Sequence, residues 1–295
     1  MEMLDHLAKC EGIENYKIIC CVEPVNGVIP ALIEGYPLNT ELVVNDRLLG
    51  LWPNKKKALT LGFSEADYVI HVEDDILLAK DSLTMFEACY DLKEDPSIFT
   101  VTAYRGGDGA AKGNGKIVTD DVKLQLGKTR WYTPWGWATW KDRWDSFKDE
   151  WDGHDQVLNH EIRGDRFEVF PLLSRTKSIG YKRGEYTSER TDAEMFNAIK
   201  NSGSYGCKNG QDILDVISEY KLKRPRGIEI IKQNDNRVGT KSSERWGENC
   251  LWAGDYEIPD GDFELSGSIQ RSSPHREQIH KQYVQKLGEK GNKKE

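Results

Sequence analysis

The chain has 295 residues, a formal net charge of −8 and a hydrophobic content of 38%. That length accommodates one large α/β domain or two small ones, and the acidic balance excludes a broad electrostatic nucleic-acid surface, though not a local groove. No segment reaches the length of a membrane span, and the start MEMLDHLAKCEGIENYKIICCVEP lacks the basic-then-apolar order of a secretory signal, so a soluble, cytoplasmic protein is expected.

In chain order, KIICCV (17–22) predicts a buried strand, and PALIEGYPL suits a short helix or turn behind it. ELVVND (41–46) reads as a second strand, ended by Asn45 and Asp46. NKKKALTLGF (54–63) predicts a helix with Ala58, Leu59, Leu61 and Phe63 as its apolar residues. ADYVIHV (66–72) predicts a strand that ends near Val72. Asp81 is the expected N-cap of the following helix, with Leu83, Phe86 and Tyr90 on one face. That helix stops before Pro96, and SIFTVTAY (97–104) is the next strand. Strand and helix alternate, so the expected fold is α/β, with a Rossmann-like, mostly parallel central sheet flanked by helices.

GGDGAAKGNG (106–115) is too rich in glycine to hold an element; it is a candidate lid or a plain surface connection. Beyond it, helices are expected around 138–163 and 189–201, and RFEVFP as a short strand. The charged end HREQIHKQYVQKLGEKGNKKE suits a surface helix that frays. The cysteines, Cys10, Cys20, Cys21, Cys89, Cys207 and Cys250, form no CxxC pair and read as thiols in a reducing compartment rather than a zinc site.

The first chemical signal is Glu73-Asp74-Asp75, in HVEDDILLAKDSL (71–83). One carboxylate would serve a helix dipole. Three at the carboxyl end of a strand repel each other and call for a cation, at the edge of an α/β sheet where ligands bind. A hard divalent ion, Mn²⁺ or Mg²⁺, fits oxygen ligands there and would face a diphosphate. The glycine-cradle fingerprints GxGxxG and GxxxxGK[ST] are absent, which disfavours those modes of phosphate binding.

Three further stretches follow: WYTPWGWATWKDRWD (131–145), EWDGHDQVLNHEI (150–162) and PLLSRTKSIG (171–180). Together with the triplet they resemble, in order and spacing, the GT-A glycosyltransferases of the N-acetylglucosaminyltransferase I type and related bacterial and viral sugar transferases. The resemblance implies a GT-A-like fold over 1–240, with a nucleotide-sugar half at 1–105 and an acceptor and catalytic half at 106–240. Residues 241–295 then form a C-terminal extension. It implies that Asp75 is the metal ligand, with Glu73 and Asp74 facing the nucleotide sugar. Pro134-Trp135-Gly136-Trp137 would shape the sugar side.

The family's catalytic Asp stands sixteen positions before the proline of P-x-x-S-R, which selects Asp155. This chain has Trp151-Asp152-Gly153-His154-Asp155 where the family has an adjacent Asp pair, so Asp152 stays as the reserve. The implied activity is inverting transfer from a nucleoside-diphosphate sugar, a UDP-sugar by resemblance, to an acceptor hydroxyl. The acceptor is left open among a glycan, a lipid-linked saccharide, a protein or a modified nucleobase in DNA.

Around that core, Glu23 and Asn45 lie at strand ends where a base and ribose could be held, with turn formation as the ordinary alternative. Arg105 is a candidate phosphate contact. Trp135 and Trp137 are candidates for stacking on a sugar, or core anchors. Lys55-Lys56-Lys57 suits a solvated helix face more than a phosphate contact, and Ser174 and Arg175 read as supports for the strand and turn. The alternatives are a metal-dependent nucleotidyl or phosphoryl transferase, which leaves the later motifs unexplained, and a Trp-rich carbohydrate-binding protein without catalysis.

Overall fold

The computed structural model describes residues 2–24, 28–105, 120–179 and 252–270. A short helix α1 (Glu2–Leu7) is followed by β1 (Ile18–Val22), α2 (Val28–Glu34) and β2 (Thr40–Val44), and β1 and β2 pair in parallel. Helix α3 (Leu51–Glu65) lies behind them and buries Lys55, Leu59 and Phe63, which stand four residues apart on one stripe. β3 (Tyr68–His71) carries the chain to the acidic turn. β4 (Ile76–Leu78), α4 (Ser82–Ala88), β5 (Ile98–Thr102) and α5 (Asp120–Lys123) come next. Then follow β6 (Gln125–Thr129), β7 (Trp137–Trp140), α6 (Lys141–Phe147), α7 (Asp155–Val157) with a π turn over Leu158–Ile162, β8 (Phe167–Pro171), β9 (Thr176–Ser178) and β10 (Glu264–Gln270).

Among the described residues, six strands form the central sheet in the order β10-β6-β8-β5-β7-β3. The α/β class with flanking helices is as the sequence predicts. Its pairings β5–β8 and β6–β10 are parallel, while β7 runs antiparallel to both β3 and β5, and β6 to β8. The antiparallel entries are an addition that strand–helix alternation did not reveal. Met85, Phe86, Ile98, Val101, Ala138, Trp140 and Val169 fill one side of this sheet. Leu59, Phe63, Phe99, Trp137, Trp144, Phe147 and Trp151 fill a second cluster beneath α3 and α6. Much of the tryptophan wealth is therefore core.

Two expectations are corrected. The helix expected around 138–163 is interrupted: Trp137–Trp140 is a strand, because its aromatic and β-branched residues fit a sheet buried on both faces. Asp81 does stand at the start of α4, but its carboxylate makes no cap hydrogen bond; it pairs with the buried Arg175 at 3.0 Å. An ionic partner outcompetes the local N–H groups. The expected helix at 189–201, the lid at 106–115, Cys207, Cys250 and the charged end lie outside the described residues. Part of the expected C-terminal extension is built into the body: β10 extends the central sheet beside β6, and Trp252 packs with Leu77, Ala79 and Leu173.

Candidate active site

The acidic turn is held by the segment that resembled P-x-x-S-R-T. β4, directly after Asp75, pairs antiparallel with β9, and the Ile179 N–H donates to the Asp75 carbonyl at 2.8 Å. Arg175 is fully buried, and its carbonyl accepts from the Ala79 N–H (2.8 Å) and the Ser82 hydroxyl (2.9 Å). The Ser174 hydroxyl donates to the Thr176 carbonyl at 2.7 Å and accepts from the Arg105 N–H at 3.1 Å. These two residues are the internal supports that the sequence suggested.

The PWGW loop enters the same junction. β3 and β7 align His71 with Trp137, so Gly136 lies beside the end of β3. Gly136 has φ +76, and a Cβ there would come within 2.8 Å of the Thr176 methyl, so a close approach as well as the backbone conformation calls for glycine. Its carbonyl accepts from the Ala103 N–H, and Thr176 Oγ1 donates to the Trp135 carbonyl at 3.0 Å. Trp135 is partly exposed, with Tyr104 edge-on at 4.6 Å between ring centroids. Trp137 is corrected: its ring is fully buried between Tyr132 and Trp151, so it has no face for a sugar and acts as a core anchor.

The loop at 151–155 is pressed against the start of α3. Gly153 has φ +98, and a Cβ on it would sit 2.4 Å from the Trp52 carbonyl oxygen. The Trp151 indole N–H donates to the His154 carbonyl at 2.9 Å, and Lys56 Nζ donates to the Trp151 carbonyl at 2.6 Å. Behind Asp155, the buried Asn159 exchanges two hydrogen bonds with the Tyr132 backbone and ties the loop to the PWGW stretch.

The two candidate bases separate clearly. Asp155 Oδ1 lies 2.9 Å from Lys55 Nζ, and Glu73 Oε1 lies 3.0 Å from the same nitrogen. The Lys55 side chain is 2% exposed, against 20% for Glu73 and 21% for Asp155. Burial disfavours its charge, but Glu73 and Asp155 more than offset that, so the ammonium is held protonated. Asp152 instead turns outward, taking the His154 N–H at 2.9 Å and pairing with that imidazole.

The expected solvated face of Lys55-Lys56-Lys57 is therefore a correction: each lysine has a partner, Lys57 donating to Asn45 Oδ1 at 2.7 Å. The signal was present. Lys55 stands on the apolar stripe of α3, four before Leu59 and eight before Phe63, where a charge requires a counter-charge.

Glu23 and Asn45 come together just beyond the ends of β1 and β2. The Glu23 carboxylate accepts from the N–H groups of Leu49 (3.0 Å) and Gly50 (2.7 Å) and from the Asn45 amide (3.1 Å), placing its charge at the N-terminus of α3. Arg105, three residues beyond β5, donates to the Leu172 carbonyl.

A cation fits the turn at one place. Asp74 is exposed, Glu73 has Lys55, and Asp75 has no ion pair among the described residues. Burial, with Glu73 and Asp74 close by, pushes the Asp75 carboxyl up to about 7. No group of three His, Cys, Asp or Glu able to hold a metal exists among the described residues. The carboxylate of the turn left for a hard ion is Asp75, and substrate oxygens and water would have to complete such a shell.

The triplet, the PWGW loop, Asp155 and the S-R-T support gather at one end of the α/β sheet, within a stretch that matches a glycosyltransferase family. Residues 54–198, just under half of the chain, match the GNT-I family. Among solved structures, the mannosyltransferase PcManGT from Pyrobaculum calidifontis, in complex with GDP-Man and Mn2+, is similar at a TM-score of 0.44 and 14% identity, covering 82% of this chain and 77% of that one. No curated protein matches the chain. No helix among the described residues is long and apolar enough to cross a membrane.

Proposed function

We propose that the chain moves a sugar from a nucleoside-diphosphate sugar, a UDP-sugar by resemblance, to an acceptor hydroxyl with inversion. The observation that carries this reading is the Lys55 bridge, which puts the acidic turn and the candidate base on one nitrogen. Asp75 would hold Mn²⁺ or Mg²⁺, which when bound supplies Lewis-acid stabilisation of the leaving diphosphate. Glu73 and Asp74 flank that position, and Arg105 and Trp135 line the loop side.

Asp155 takes the proton of the acceptor hydroxyl as the new bond forms at the anomeric carbon and the bond to the diphosphate breaks. A single displacement of this kind needs one base and inverts the anomeric centre. Asp155 fits that role better than Asp152, which is exposed and paired with His154. Glu23 and Asn45 act at the nucleotide end by fixing the 45–50 loop. The halves 1–105 and 106–240 divide donor from acceptor duties, with 241–295 adding to the second. The free thiols Cys10, Cys20, Cys21 and Cys89 suit a cytoplasmic location.

Thermal shifts with UDP, GDP and dTDP, each with and without Mn²⁺, test the reading. One diphosphate is expected to stabilise the protein only with metal, UDP most strongly, by at least 2 kcal/mol or so at about 100 times its Kd. If none does so, the transfer reading is wrong.

A further inference from the structure

Lys55 has the features of a positioning group, and its position is set independently of any ligand. It projects from a fifteen-residue helix, and its side chain is almost wholly removed from solvent. Two anchors lock the 151–155 loop against that helix: the close approach of Gly153 to the Trp52 backbone and the Lys56 contact with the Trp151 carbonyl. The Lys55 ammonium also lies 5.1 Å from the centre of the Trp52 ring, which takes up part of its charge. Its contacts to Glu73 Oε1 and Asp155 Oδ1 use the remaining reach of the ammonium.

From this arrangement we infer that Lys55 is a positioning residue for sugar transfer, holding Asp155 by Oδ1 so that Oδ2 meets the acceptor hydroxyl, and that it acts through Asp155 rather than on the donor diphosphate. The inference rests on the transfer reading above. Burial matters to it, because an ammonium enclosed by helix, turn and loop fixes a carboxylate in direction as well as in place. Glu73 contributes by holding the same nitrogen from the donor side, so the base is aligned relative to the acidic turn and not merely to its own loop.

A kinetic double-variant cycle tests this. Lys55→Met, Asp155→Asn and the double variant are compared in Mn²⁺-dependent hydrolysis of the nucleotide sugar that the unaltered chain turns over fastest. UDP with Mn²⁺ serves as the binding probe. Lys55→Met is expected to lower kcat by about 10- to 100-fold, the scale of a misplaced base, with donor KM and the UDP dissociation constant within about threefold. Lys55→Arg keeps the charge and recovers part of kcat.

In the Asp155→Asn background, removing Lys55 costs less than about twofold more, because residues that act as a unit are not additive. Effects that multiply in the double variant, or a tenfold rise in the UDP dissociation constant on Lys55→Met, would overturn the inference and place Lys55 on the diphosphate. Should Lys55→Met not fold, Lys55→Arg is judged by the same split between kcat and KM. Failure of the transfer reading looks different: the unaltered chain itself would then bind no nucleoside diphosphate with Mn²⁺.

Discussion

The acidic turn at 73–75 and the loop at 151–155 each carry clustered carboxylates, yet the structure treats them in opposite ways. In the loop every charge is answered within the protein: Asp155 by Lys55, Asp152 by His154. In the turn only Glu73 has an ion-pair partner among the described residues, and Asp75 is left partly buried among like charges. A compensated carboxylate is ready to work as it stands. An uncompensated one is ready for a cation. The difference is what the proposed division of the site, one half acting on the acceptor and one receiving the donor, would require.

The largest expected effect breaks the loop's own symmetry. Asp155→Asn should lower transfer or donor hydrolysis by roughly 10²- to 10⁴-fold, the usual span for removing a general base, while leaving diphosphate binding unchanged. Asp152→Asn should stay within about threefold, since that side chain is 58% exposed and faces His154. Measured kcat values in the reverse order would exchange the two roles.

The part of this division that was legible in the sequence is the order of motifs. The triplet, PWGW, the acidic loop and SRT carry their spacing in the chain itself, and β4–β9 pairing shows why the first and last must be kept together. Strand β1, helix α3 and strand β5 were also readable, because apolar periodicity and breakers bound them. What sequence reasoning missed depends on contacts between distant segments. Lys55 looked like one of three solvated lysines until α3 was seen to bury it against two carboxylates. Trp137 looked like a stacking residue because a tryptophan in a turn has the same letter whether its face is open or packed. Strand β7 was taken into a helix because its four residues, buried on both faces, show no alternation.

A medium effect concerns the histidine beneath the acidic turn. His71, at the base of the acidic turn, has its Nδ1 enclosed without a partner, and burial, aided by the Lys55 charge, pushes its pKa down to about 3. The folded value lies below the unfolded 6.5, so the unfolded chain binds the proton more readily as pH drops. The stability given by a neutral His71 is complete above pH 6.5 and is lost progressively as pH falls from 6.5 through 3. His71→Phe should remove that part of the acid limb, on the order of 2 kcal/mol at pH 4.5 after discounting for the ring's partial exposure. Urea midpoints measured from pH 7 to 4 decide it, and an unchanged slope would mean that the ring is hydrated.

The smallest effect is a matter of sign, and it bears most directly on the contrast between turn and loop. At pH 8 Asp75 is ionised beside Glu73 and Asp74, and its charge costs stability in the metal-free protein. Replacing it by Asn keeps the shape and removes the repulsion, so Asp75→Asn should raise metal-free stability by about 1 kcal/mol, the scale of partly screened like charges. The same change at Asp155 strips Lys55 of one of two partners and should lower stability by about 1–2 kcal/mol, the worth of a charge-assisted hydrogen bond. Opposite signs from an identical chemical change, measured by denaturation in EDTA, are what an uncompensated donor half and a compensated acceptor half require. A loss at both positions would show that Asp75 is already neutralised within the protein, and the need for a cation at the turn would disappear with it.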